Sequence, residues 1–156
     1  MSSPFDIERA SLRRAPDRAV AVAVIVAEDG RYLLQLRDDK PGIAVPGHWA
    51  LFGGGLEPGE SPATALVREL REELGFTATD YARLMESIHR MPSGRIVEMW
   101  FFTVRVRLDE IDRMVQTEGA DKALFTPEEA AALDRIAPWD LSAVLLHARG
   151  ALLFPR

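Results

Sequence analysis

Apolar residues along this chain follow two rhythms. Across residues 20–28 and again across 31–37 they run almost unbroken, rich in Val or Leu, with Asp29-Gly30 standing between the two runs. An Asp-Gly pair flanked by such runs is hairpin chemistry, because glycine takes the positive φ a tight turn requires. Two antiparallel strands are therefore predicted. Residues 38–48 (DDKPGIAVPGH) carry two Pro-Gly pairs and read as a long loop, followed by a short strand over 49–52 that runs into Gly53-Gly54-Gly55. The period then changes. Ser61 as N-cap, Pro62 at the first helical position and Gly75 as terminator predict a helix over 62–74, with Leu66, Val67, Leu70 and Leu74 on its core side. Strand-like runs at 83–89 and 96–107, separated by Met91-Pro92-Ser93-Gly94, predict a second hairpin. A short strand at 123–125, a short helix opened by Thr126-Pro127 and ending near Leu133, and a final amphipathic helix from Pro138 to about Arg149 complete the pattern. Residues 1–19 read as an N-terminal arm and 20–156 as one domain. Strands on both sides of a central helix, with helices at the end, predict an α/β class fold: a mixed sheet sandwiched by helices.

Composition narrows the chemistry. The chain has 156 residues and no cysteine. At that length folding buries roughly 68–70% of the unfolded surface, so the core needs no disulfide or structural metal. Thiol catalysis and thiolate zinc sites are excluded. The longest apolar run, residues 19–27, is far shorter than the ~20 residues of a membrane helix and reads as a buried strand. Residues 1–19 hold several arginines but also Asp6, Glu8 and Asp17, without the apolar core of a signal segment, which predicts a cytoplasmic protein. With 24 acidic against 19 basic residues, the chain is not expected to bind duplex nucleic acid, whereas a small anion held through a metal remains compatible.

The helix over 62–74 carries the most specific pattern. At 100° per residue Glu69, Glu72 and Glu73 share one arc beside the leucine arc. Glutamate-rich helix faces are usually solvated, and Arg68 lies at pairing distance from Glu72. Against that, the pairs Glu69/Glu73 and Glu69/Glu72 each cost about 0.2–0.5 kcal/mol if nothing neutralises them. Three convergent carboxylates beside a loop form a hard oxygen cage suited to Mg2+ or Mn2+ rather than to zinc.

Gly54, Glu60, Arg68-Glu69-Leu70, Glu72-Glu73 and Gly75-Phe76 reproduce, with both internal spacings, the signature of the Nudix hydrolases, which this chain resembles. Chance agreement at ordinary residue frequencies has odds of roughly one in ten million. The resemblance implies an α/β/α sandwich around a mixed sheet and a divalent-metal-dependent pyrophosphohydrolase. It implies that Glu69, Glu72 and Glu73, with the carbonyl of Gly54, hold metal bridging the phosphates of a nucleotide, while water attacks phosphorus. Arg68 then orients the box glutamates and Glu60 fixes the loop-helix junction. One further glutamate is expected from a loop after the second hairpin. Glu118 is the candidate, as metal ligand or general base alongside Glu69, with Glu98 its competitor inside a strand. Relatives commonly carry Pro-Gly-Gly before the box, where this chain has Phe52-Gly53-Gly54.

On the substrate side, Arg37, His48 and Trp49 are candidate contacts. Trp100, Phe101 and Phe102 are better explained as core, Arg90 as a solvated strand end, and His89 and His147 have no ligand partner at suitable spacing. The expected substrate is a nucleoside diphosphate linked to another group, of the sugar-nucleotide or ADP-ribose type. The alternatives are a nucleoside triphosphate pyrophosphatase that removes damaged nucleotides and a nucleotide-sensing module that does not cleave. A homodimer is the one protein partnership the resemblance suggests.

Overall fold

The computed structural model describes residues 14–153. Seven strands and four helices follow one another as β1 (Arg18–Ala27), β2 (Tyr32–Leu36), β3 (Trp49–Ala50), β4 (Phe52–Gly55), α1 (Pro62–Leu74), β5 (Tyr81–Arg90), β6 (Ile96–Val106), α2 (Leu108–Arg113), β7 (Asp121–Phe125), α3 (Pro127–Ala131) and α4 (Pro138–Leu153). Among the described residues all strands belong to one mixed sheet. Its spine runs β3-β2-β1-β6-β5, with β4 also paired to β1 and β7 to β2. Both predicted hairpins are present, β1 with β2 and β5 with β6.

The central strand is β1. It runs parallel to β6 along its whole length, from Arg18↔Val97 to Ala27↔Val106. Its other edge is divided: the C-terminal part pairs with β2, and Val20 to Ala23 pair antiparallel with Gly55 to Phe52 of β4. Alternation along β1 then splits the core into two layers. Ala21, Ala23, Ile25 and Ala27 face Leu66, Leu70 and Leu74 of α1, while Val22 and Val24 face Ala130 of α3 and Ala143 and Val144 of α4. The neighbours Phe101 and Phe102 enter opposite layers for the same reason.

Several boundaries differ from the sequence expectation. β1 begins at Arg18, inside the expected arm, because parallel pairing with β6 and the bond from Asp17 N–H to the Ile96 carbonyl at 2.9 Å carry the sheet that far. Residues 1–13 of that arm lie outside the described residues. The expected strand over 49–52 is two strands divided at Leu51, one paired with β2 and the other with β1. Helix α2 was not expected, α3 stops at Ala131, and α4 continues to Leu153. Among the described residues no helix is long and apolar enough to cross a membrane.

Candidate active site

Helix α1 begins and ends as its sequence dictates. The Ser61 hydroxyl accepts from Thr64 N–H at 3.2 Å, and Gly75 closes the helix in the left-handed conformation at φ 62°. Leu66, Leu70 and Leu74 are buried against the sheet, which fixes the helix rotation and turns Glu69 and Glu73 toward β4; Val67 is only partly buried. The last turn leaves orphan carbonyls, and the loop after α2 satisfies them. Thr117 N–H donates to the Glu73 carbonyl at 3.0 Å, Thr117 Oγ1 to the Glu72 carbonyl at 2.9 Å, and Val115 N–H to the Leu74 carbonyl at 3.0 Å. Capping the helix in this way brings Glu118 to Glu73. The two line one small chamber of about 70 Å3 with Gln35, Arg37 and Lys40.

Arg68 organises the other side. Its Nε and Nη2 each donate to the Glu60 carboxylate at 2.8 Å, its Nη2 also to the Gly55 carbonyl at 2.9 Å, and its Nη1 to Glu69 at 2.7 Å. Glu72 is the outlying member, mostly exposed and 3.4 Å from Arg68. The guanidinium holds Glu60 down to about 2, helped by the Glu57 backbone N–H, and Glu60 in turn raises the proton affinity of Arg68. Glu73 behaves oppositely. Burial, reinforced by the charges of Glu69 and Glu118, pushes it up to about 8, against a bond from Gly53 N–H at 3.0 Å and the charge of Arg37.

The donors suit a hard divalent cation. A Cβ placed on Gly54 would lie 2.5 and 2.6 Å from the Glu69 carboxylate oxygens, so the missing side chain lets that carboxylate press against the backbone of the loop. Like charges crowd Glu73, which is the situation a cation relieves. Among the described residues no three acidic or histidine side chains stand close enough together to hold a metal ion, and Arg68 is paired with Glu69 and Glu72. Glu98 stays within β6, paired with Ile88 on one side and Ala19 on the other.

Beside the acidic chamber lies a larger cavity of about 210 Å3, lined by Val20, Val22, Met91, Met99 and Trp139 and opening on Gly53 and Gly54. Its charged lining is Arg18, Arg37 and Asp140. Asp140 is buried and accepts from Leu51 N–H at 2.9 Å through Oδ2, while its Oδ1 has no partner; burial pushes its carboxyl up to about 7. Arg37 lines both cavities, with its Nε also buried and unpartnered. Of the expected substrate contacts, the structure brings only Arg37 to this place. The His48 ring turns back onto the Pro46 carbonyl, and Trp49 packs edge-on against Phe125 at 4.8 Å; neither lines either of these two cavities. Trp100 lies under the Arg83 guanidinium, 5.5 Å away, and Arg90 ends β5 opposite Ile96. Asp140 escaped sequence reasoning, because one carboxylate in the first turn of a helix reads as dipole pairing.

A family model described as NUDIX domain matches residues 16–146, and the chain belongs to this family. It is 46% identical over 78 residues to a CTP pyrophosphohydrolase of Escherichia coli K12, covering 50% of this chain and 56% of that one. It is 54% identical over 125 residues to the nucleoside triphosphatase NudI of Salmonella paratyphi B, covering 72% of this chain and 85% of the relative. The chain thus spans only about half of the first of these relatives. In fold it is similar to a MutT protein from Methanosarcina mazei Go1, with a TM-score of 0.75, 21% identity and coverage of 88% and 96%.

Proposed function

We propose that this chain is a divalent-metal-dependent Nudix hydrolase that cleaves nucleoside triphosphates to the monophosphate and pyrophosphate. The observation that carries the reading is a pair of cavities that share Arg37 as a common wall: a largely apolar one, opening on Gly53 and Gly54 and sized for a nucleobase, and an acidic one beside Glu73 and Glu118. The two relatives named for triphosphate substrates favour this over the sugar-nucleotide or ADP-ribose substrate expected from the sequence.

Glu69, Glu72 and Glu73, with the Gly54 carbonyl and Glu118, would hold Mg2+ or Mn2+. When bound, the cation neutralises phosphate charge and makes water a better nucleophile. The chain's own residues do the rest. Arg68, anchored by Glu60 and the Gly55 carbonyl, holds the Glu69 carboxylate against the loop. Glu118, on the loop that caps α1, accepts the proton of the attacking water, with Glu69 the other candidate base. Arg37, which lines both cavities, meets the substrate's phosphates where the two adjoin. Asp140, its carboxyl pushed up to about 7 by burial and its Oδ2 taken by the Leu51 N–H, has Oδ1 left to meet the base.

The test is kcat/KM with magnesium for CTP, UTP, ATP and GTP against UDP-glucose and ADP-ribose. Triphosphates should be preferred by roughly a hundredfold or more. Equal or better cleavage of the diphosphate-linked compounds would overturn the reading.

A further inference from the structure

We propose that Arg18 is a phosphate-binding residue seated on the bare Cα of Gly55, so that the glycine at position 55 serves to admit a guanidinium to the mouth of the nucleotide cavity. Resting on the triphosphate reading, this adds a positioning role outside the family signature.

Gly55 lies between two arginines with opposite surroundings. Arg68 bonds to its carbonyl and is neutralised by Glu60, Glu69 and Glu72. Arg18 lies over its Cα: a Cβ there would stand 2.6 Å from Nη2, 2.9 Å from Nε and 3.1 Å from Cζ of Arg18. No other atoms rank among its three nearest neighbours, and the backbone of Gly55 is not in the left-handed region. The strand pairing Val20↔Gly55 sets this register, placing a β1 side chain two residues earlier across the end of β4.

The Arg18 side chain forms no hydrogen bond or ion pair among the described residues, although four glutamates crowd the neighbouring helix and loop. Arg68 has taken Glu60 and Glu69 and stands within 4.0 Å of Glu57 and Glu72. The cavity that Arg18 lines also holds Arg37 and the buried Asp140, whose carboxyl retains its proton up to about pH 7. The lining therefore carries an excess of positive charge beside Gly53 and Gly54, and a guanidinium offers the planar fork that pairs with phosphoryl oxygens. An anion entering the apolar pocket meets the exposed Arg18 at its mouth and Arg37 at the wall shared with the acidic chamber.

The experiment measures kcat and KM for CTP with magnesium, and Kd for inorganic tripolyphosphate by calorimetry, in wild type, Arg18→Ala, Arg18→Lys, Gly55→Ala and the Arg18→Ala/Gly55→Ala pair. Arg18→Ala should raise KM and the tripolyphosphate Kd by roughly tenfold, with kcat within about twofold and the melting temperature unchanged. Arg18→Lys should recover most of the loss. Gly55→Ala should reproduce it by pushing the guanidinium aside, and the double variant should be no worse than either single one. Unchanged KM and Kd in Arg18→Ala, a loss in kcat alone, or full additivity in the double variant would overturn the proposal. Arg18-dependent tripolyphosphate binding without nucleotide turnover would retire the triphosphatase reading and keep this one. CTP turnover with an unaltered KM in Arg18→Ala would do the reverse, and a wild type that neither binds tripolyphosphate nor turns over CTP would overturn both.

Discussion

Alanine at Gly53 and alanine at Gly54 should fail in different ways. Gly53 sits at φ +145° opposite Val22, and a Cβ there would lie 2.9 Å from Val22 Cα and closer still to the Ala21 carbonyl oxygen. Those neighbours are strand backbone and cannot rotate away. The unfavourable φ costs about 1–3 kcal/mol and forced overpacking another 1–3 kcal/mol. A chain of this size loses about 2–4 °C of melting temperature per kcal/mol, so Gly53→Ala should melt roughly 5–20 °C lower. At Gly54 the crowding atoms are the Glu69 carboxylate, the free end of a flexible side chain. It swings out, and stability should change by less than about 1 kcal/mol. Displacing a group the chemistry needs by an ångström costs about a hundredfold in turnover, which is the loss expected for Gly54→Ala on CTP. Thermal unfolding followed by circular dichroism, with turnover of the same samples, separates the two. A Gly54→Ala protein of normal activity would refute the placement of Glu69, and a Gly53→Ala protein of normal melting temperature would refute the β1/β4 pairing.

Three further outcomes follow from the same geometry. Leu70→Ala, at a fully buried position under α1, should cost about 2–5 kcal/mol in urea unfolding, and a cost below 1 kcal/mol would show the helix phase to be wrong. Arg68→Lys should lower kcat by about 10- to 100-fold with the helix intact, because one ammonium cannot span Glu60, the Gly55 carbonyl and Glu69 together; full activity would remove Arg68 from the site. Asp140 has its folded value raised to about 7 from an ordinary 3.8, so between about pH 4 and 7 the folded chain keeps a proton the unfolded chain has released, and stability falls as pH rises. Asp140→Asn should remove about 1 kcal/mol per pH unit of that slope, and identical slopes in both proteins would contradict the buried carboxyl.

Much of this was legible in the sequence where local chemistry decides. Ser61-Pro62 and Gly75 bound α1 at the expected residues because capping is a short-range rule, and Asp29-Gly30 announced the first hairpin. Helix α2 was not legible: its six residues, LDEIDR, bury only Ile111. The division of the 49–52 strand at Leu51 depends on two different partners, β2 and β1, which no local signal records. The box glutamates stand out by their pattern and Glu118 by its loop, yet what brings Glu118 to Glu73 is Thr117 and Val115 reaching the end of α1. Asp140 and Arg18 became visible only in three dimensions, one through an oxygen left without a partner and the other through a glycine that gives it room.

The most direct measurement of the central claim is mass analysis of the products formed from CTP, with magnesium and with chelator. CMP and pyrophosphate, formed only with the metal and lost in Glu69→Gln, is the predicted result. CDP and orthophosphate, or inert CTP beside rapid cleavage of ADP-ribose, would contradict it.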